Sequence, residues 1–297
     1  MPARAHPLLG LLAVLLAAAL WGTTGTAQAL TGGALSALWF GALRLAFAAV
    51  FFLAFAGVTG VLARGAWRGL SPGAAIGAGL CMATYNLAFF AGVKLTGVGM
   101  GTAIALGSGP IWAGLLQGLI ERQPPTAAWW LGTAMAVAGG ALLTAGGEGA
   151  GASALGVALC LVSGLAYAVY TLLNQRLVGQ APAALITLSA FSVAAAVALP
   201  VAGIHAGLPQ LGRAEWIATA YTGMVTAGIG YLLYSAALRH IRPATAVTLA
   251  LVEPVVAFAL AVFVLGEPTG GGPWVGLLLV LGGVLMVGRA ELARTSG

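Results

Sequence analysis

Ten apolar stretches, joined by short links, leave this chain few ways to fold. They cover roughly residues 8–30, 34–57, 73–93, 97–120, 126–146, 153–173, 183–204, 215–238, 244–265 and 273–289. About 20 apolar residues in helical form cross the hydrocarbon of a bilayer. That interior offers no water to backbone N–H and C=O groups, so a crossing segment must close its hydrogen bonds on itself as a helix. The cations then sort the links. With ten crossings, the loops and termini on the N-terminal side carry Arg4, Arg64, Arg68, Arg122, Arg176, Arg239, Arg242, Arg289 and Arg294. The opposite side carries only Lys94 and Arg213, and Arg44 lies inside a span. Cationic loops stay in the cytoplasm during insertion. The expected architecture is therefore an all-α integral membrane protein of ten transmembrane helices, with both termini cytoplasmic.

Composition agrees. Of 297 residues, 61% are apolar and 6% charged, with six Glu and no Asp. A soluble domain carries about 25% charged residues. The net charge of +6 is spread along the chain as loop anchors and forms no cluster, so no nucleic-acid partner is expected. Cys81 and Cys160 sit in apolar stretches with neither disulfide nor metal spacing and read as small packed residues. The stretch from Leu8 to Leu30 is too long for a signal-peptide core and reads as the first helix.

An internal repeat runs through the chain. Pro110 precedes Pro124 by fourteen residues, and Pro254 precedes Pro268 by fourteen. The two pairs are offset by 144 residues, and the next span of each half ends in a glycine pair, Gly139-Gly140 and Gly282-Gly283. The period is five spans. Because five is odd, the halves, 7–146 and 153–289, must cross the membrane in opposite senses. Inverted repeats are typical of transporters that expose a midplane site to each side in turn. Glycines and alanines at four-residue spacing, such as Gly132, Ala136 and Gly140 in the fifth span, let helices approach closely. That face could pack internally or against a second copy, so the oligomeric state stays open.

Two ionisable residues lie deep in spans, Arg44 in the second and Glu253 in the ninth. A charge at the bilayer centre costs about 2.5–3.5 kcal/mol on insertion scales, so each must face the interior of the bundle. Arg44 reads as an anchor for a substrate carboxylate or a tether to backbone carbonyls. Glu253 reads as a proton or amine binder, or as a lock on the helix break at Pro254. The two could also pair with each other. Pro110 and Pro254 are expected to break their helices at similar depth, with Ser108 and Trp112 flanking the first. Polar and aromatic residues recur at helical spacing: Trp21, Thr24 and Gln28; Tyr85, Asn86 and Phe89; Ser163, Tyr167, Tyr170 and Asn174; Tyr231 and Tyr234. Unpaired polar groups facing lipid are costly. These four faces are expected to line a cavity suited to a small amphipathic solute, although any one side chain could instead make an interhelical bond. Trp129, Trp130 and Trp274 begin spans and read as interface anchors.

No Walker A sequence is present, the three histidines avoid the spans, and no His/Cys/Glu cluster has metal spacing. The expectation is a non-enzyme with no cofactor and no metal.

Trp21-Gly22, Leu43-Arg44-Leu45, Asn86 with Phe89, Pro110, Glu253-Pro254 and Gly266-Glu267-Pro268, in that order, resemble the drug/metabolite transporter superfamily. Within it the chain resembles the EamA-type ten-helix exporters, most closely the YddG-type exporters associated with aromatic amino acids. Gln123 stands where the second half has Glu267, a departure from repeat symmetry. The resemblance implies a multi-pass inner-membrane exporter of amino acids or similar metabolites. It also implies a cavity built by spans one to four and six to nine, with five and ten peripheral. One buried carboxylate and no Asp argue against a multi-step proton relay, so transport is expected to run down the substrate gradient. A proton-coupled exporter of another substrate and a small-solute channel remain alternatives. The scarcity of cations within spans argues against a doubly charged phosphate ester.

Overall fold

The computed structural model describes residues 6–30, 35–62, 66–144 and 153–296. Arg4, Arg64 and the expected span ends at residues 34 and 145–146 lie outside the described residues. Among these residues every regular element is helical: α1 (Pro7–Ala29), α2 (Ala37–Val58), α3 (Pro72–Thr96), α4 (Val98–Ile120), α5 (Ala127–Thr144), α6 (Ala154–Val178) and α7 (Ala183–Ala206). There follow α8 (Arg213–Tyr221), a π-helical segment (Thr222–Ile229), α9 (Gly230–Ala237), α10 (Pro243–Leu249), α11 (Val252–Phe263) and α12 (Gly271–Ser296). With α10 and α11 taken together, nine stretches among the described residues are long and apolar enough to cross a membrane. The eighth expected segment is occupied by the continuous run α8–π–α9.

Local chemistry sets the ends. Ser36 and Ser153 accept hydrogen bonds from the first-turn N–H groups of Trp39 and Gly156, capping α2 and α6. Proline opens α1, α3 and α10, where a missing N–H costs nothing. Gly97, at φ +85°, turns the chain from α3 into α4 within one residue, a conformation that favours glycine.

The two buried prolines behave differently. Pro254 lacks an N–H, and its ring would meet the carbonyl of residue 250 in a continuous helix. The helix stops at Leu249 and restarts at Val252, with Pro254 in the first turn of α11. The Glu253 N–H donates instead to the Ala250 carbonyl at 2.9 Å. Pro110 does not break α4, which continues from Val98 to Ile120, contrary to the expected symmetric break. Here α5 and α6 pack along α4 and hold it, so the bond lost at the Leu106 carbonyl does not unwind the helix.

The main packing partners are α3 with α6, α2 with α7, α4 with α6, α1 with α9 and α11, and α5 with α12. Helices before residue 146 thus pack mainly on helices after residue 153. In the α5–α12 pair the backbones nearly touch. A Cβ on Gly139 would lie 2.5 Å from the Gly276 carbonyl oxygen, and one on Gly132 would lie 2.8 Å from that of Gly283. The Gly132/Gly139 face is therefore covered from within the chain. Trp129, expected at the membrane interface, is instead buried, because its ring fills the space over Gly114 of α4. Trp274 is partly exposed, and its indole N–H donates to Thr269.

Several links meet at one end of the bundle. Arg239 donates to the Val178 and Ala181 carbonyls, both at 3.1 Å. The Ser71 N–H donates to Gln180, and the His6 N–H to His240 Nδ1. Arg242 donates to Gln123 Oε1 at 2.9 Å. Glu291 accepts from the Arg242 N–H and the Thr245 hydroxyl, and pairs with Arg294 at 2.8 Å.

Gly139→Val should separate α5 from α12 and cost about 1–3 kcal/mol, the usual range for overpacking. Gly140→Ala places its Cβ where no atom lies within 4 Å and should be tolerated. Thermal unfolding of the two variants in detergent, side by side with wild type, checks the contrast.

Candidate functional site

A cavity lies where the close helix contacts give way to large side chains. Its wall takes Trp21 from α1, Arg44 from α2, Tyr85 from α3, Ala105 and Leu106 from α4, Tyr167 from α6 and Tyr231 from α9. Val247 of α10, the link residues Ala250 and Leu251, and Glu253 of α11 complete it. About 30 Å³ is open to the centres of water molecules, room for a few waters. In this conformation the site is tight around its centre.

The aromatic rings form one connected cluster. Trp21 sits 4.8 Å from Tyr231, 5.3 Å from Tyr234 and 6.5 Å from Tyr167, between ring centroids. Tyr167 in turn lies 5.2 Å from Tyr85 and 6.0 Å from Tyr234. These separations fall in the range of favourable tilted and edge contacts. Tyr170 and Tyr234 stand behind the wall, fully buried, and their hydroxyls are held from the side. Asn174 donates to Tyr170 at 3.1 Å and to Ser235 at 2.8 Å, and the Tyr234 hydroxyl shares a 2.9 Å bond with Thr171. Phe191 of α7 packs on Tyr231 at 4.9 Å. Helix α7 thus supports the wall without entering it.

Glycines set the depth of Trp21, Arg44 and Glu253. A Cβ on Gly22 would lie 2.7 Å from the Glu253 carbonyl oxygen, so α1 and α11 meet beside Trp21. A Cβ on Gly230 would lie 2.6 Å from the Trp21 Nε1 atom, so the indole rests directly on α9. A Cβ on Gly223, in the π-helical segment, would lie 2.9 Å from the Arg44 carbonyl oxygen and against Phe47. That segment therefore positions the turn of α2 that carries Arg44. Single π turns inside α-helices are frequent at functional sites.

Arg44 and Glu253 face the same cavity with opposite charge. No ion pair within 4.0 Å joins them, and among the described residues neither side chain has a hydrogen-bond partner in the protein. The Trp21 indole N–H is also buried without a partner. An unpaired charge in a low-dielectric site is costly. The arrangement suits a solute that brings its own opposite charges, with an apolar body for the rings.

Of the residues expected to line the cavity, Trp21, Arg44, Tyr85, Tyr167, Tyr231 and Glu253 do so. Four others are placed elsewhere. The Thr24 hydroxyl bonds to that of Thr226 at 3.3 Å, holding α1 to the π-helical segment. Asn86 turns to α2, with its Oδ1 2.5 Å from a Cβ built on Gly41. Ser108 donates to the Ala105 carbonyl at 3.3 Å and packs on Gly164 of α6. Trp112 packs against the core away from the wall. Sequence reasoning missed Ala105, Leu106, Val247, Ala250 and Leu251, because an apolar residue in an apolar span carries no signal of which way it faces.

The family model described as the EamA-like transporter family matches residues 8–145 and 154–289. The chain is 34% identical to the uncharacterized transporter YwfM of Bacillus subtilis over 93% of both chains. It is 28% identical to the uncharacterized inner membrane transporter YedA of Escherichia coli over 53% of this chain and 52% of that one. A crystal structure superposes with a TM-score of 0.81 over 97% of both chains at 20% identity, which shows a shared fold.

Trp21→Phe removes a buried donor that has no acceptor and keeps the ring stack. It should leave thermal stability within about 1 kcal/mol of wild type, whereas Trp21→Ala should cost about 3–5 kcal/mol. Unfolding of the two purified variants measures the difference.

Proposed function

The chain belongs to the EamA-like transporter family and is a multi-pass protein of the inner membrane, and from that premise we propose that it is a secondary carrier exporting amino acids or related small metabolites by alternating access. The observation that carries this reading is the pair Arg44 and Glu253, unpaired and opposite in charge on the wall of one aromatic cavity. A zwitterion would satisfy both. Its carboxylate would take the Arg44 guanidinium, which offers a planar fork of donors. Its ammonium would take the Glu253 carboxylate, and the rings of Trp21, Tyr85, Tyr167 and Tyr231 would cover its apolar part, with a cation–π contribution to the ammonium. The aromatic wall favours an amino acid with an apolar or aromatic side chain, in keeping with the YddG-type resemblance.

The proposed topology has ten crossings in two inverted halves, 7–146 and 153–289, with both termini in the cytoplasm. The run α8–π–α9 would be the eighth crossing. The packing pattern supports the inverted halves, because exchanging them maps α3 on α6 to α8–α9 on α1, and α4 on α6 to α11 on α1, while α2–α7 and α5–α12 map to themselves. The polar contacts that gather the link residues Arg239 and Arg242 at one end support a common cytoplasmic side for the basic links. Alternating access would rock these halves about the cavity, with the break at Ala250–Leu251 and the π-helical segment as points where helix geometry can yield.

Transport would run down the substrate's own gradient, since among the described residues Glu253 is the one carboxylate on the cavity wall. The same residue favours a second reading, proton-coupled export, because a carboxylate on the cavity wall with no ion pair within 4.0 Å can exchange a proton with the cavity.

Counterflow in proteoliposomes separates the readings. Wild type loaded with unlabelled amino acids should accumulate labelled amino acid, and Arg44→Ala should lower kcat/KM by about 100-fold, as expected for leaving a buried charge unpaired. A folded Arg44→Ala protein with wild-type transport would remove Arg44 from the site. Under the gradient-driven reading, collapsing the proton gradient should leave export unchanged. A loss of export that Glu253→Gln also produces would establish proton coupling instead.

A further inference from the structure

Leu106 and Leu251 each face two spaces. Both line the charged cavity, and both also line a second pocket between α4, α5 and α11. Gly107, Val137, Gly140 and Pro254 form much of its wall, and among the described residues Thr102 and Thr144 are its only hydroxyl-bearing ones. The Thr144 hydroxyl is turned back onto the Gly140 carbonyl at 3.0 Å, which leaves the pocket apolar there. Gly140 is buried, yet a Cβ built on it would meet no atom within 4 Å. Protein interiors are close-packed, so a buried backbone position beside open space marks a gap in the packing. Neighbouring Gly139 shows the opposite, with α12 pressed against it. One face of α5 is thus sealed and the adjacent face opens towards α4 and α11.

We propose that this pocket is the subsite for the substrate's side chain. The inference rests on the amino-acid reading above and deepens it. The charged groups of the substrate are held at Arg44 and Glu253, and its apolar side chain passes between Leu106 and Leu251 into the space beside Gly140. The helix break makes the geometry available, because within four residues Leu251 lines both spaces, Glu253 the first and Pro254 the second. The pocket has room for about one water as it stands, so the two leucines must rotate aside to admit a side chain. The substrate class is a zwitterion with a branched or aromatic side chain. Helix α5, peripheral in the architecture the resemblance implies, becomes part of the specificity site.

The test uses counterflow of labelled alanine, leucine and phenylalanine with the full-length protein in proteoliposomes, comparing wild type, Gly140→Val and Leu106→Ala. Gly140→Val fills the pocket and should lower kcat/KM for leucine and phenylalanine relative to alanine by about tenfold or more, the usual scale for crowding an apolar pocket. Leu106→Ala widens the passage and should shift the ratio towards phenylalanine. An unchanged ratio in folded variants, with wild type active, overturns the subsite and leaves the amino-acid reading standing. If Gly140→Val does not fold, Leu106→Ala decides alone by the same ratio. Wild type inactive with every amino acid overturns both.

Discussion

Lipid tails reward the burial of one apolar side chain against another very little, so helices in a bilayer hold together where their backbones can come close. The bundle depends on this constraint. Gly132 and Gly139 meet α12, Gly164 meets α4, Gly22 meets α11, and Gly223 meets α2, each at a distance no side chain would allow. Where those contacts stop and Trp21, Tyr85, Tyr167 and Tyr231 take their place, the helices part and the cavity forms. The cavity is thus framed by glycine contacts and held open by large side chains.

The same constraint places the charges. Arg44 and Glu253 cannot face hydrocarbon, and the cavity is the polar space within reach. The backbone around them is also the least regular in the bundle. Glu253 starts a helix just after the break at Ala250–Leu251, and Arg44 rests on the π-helical segment. Irregular backbone at membrane depth is tolerated where it is buried in protein or lines a cavity. Here both irregular stretches adjoin the charged residues, which ties the places where the bundle can bend to the places where it can bind.

Much of this was legible from the order of residues. A run of about 20 apolar residues has one stable form in a bilayer, so most helix ends could be placed to within three residues, although α6 and α12 run on past their expected ends. Six of the twelve expected cavity residues lie on its wall and Tyr170 and Tyr234 stand directly behind it, because large aromatic and charged side chains inside a span favour the bundle interior. Of the other four, Trp112 packs against the core and the rest carry small side chains. Thr24 and Ser108 found hydrogen-bond partners across or within helices, Asn86 packs against Gly41 of α2, and Trp129, expected at the interface, filled a space over Gly114. Helical spacing says that such a residue faces inward but not which neighbour it meets.

Pro110 and Pro254 show the division most clearly. Their chemistry is identical and their spacing suggests equivalence, yet one helix continues and the other breaks. The sequence by itself determined the apolar segments, the helical form that hydrocarbon demands of them, and the inward position of Arg44 and Glu253, because these follow from solvation alone. Only the tertiary structure decided which glycines touch which helix, which proline opens the backbone, and that Leu106 and Leu251 stand between two spaces. Those outcomes depend on contacts between segments far apart in the chain, and local residue order does not carry them.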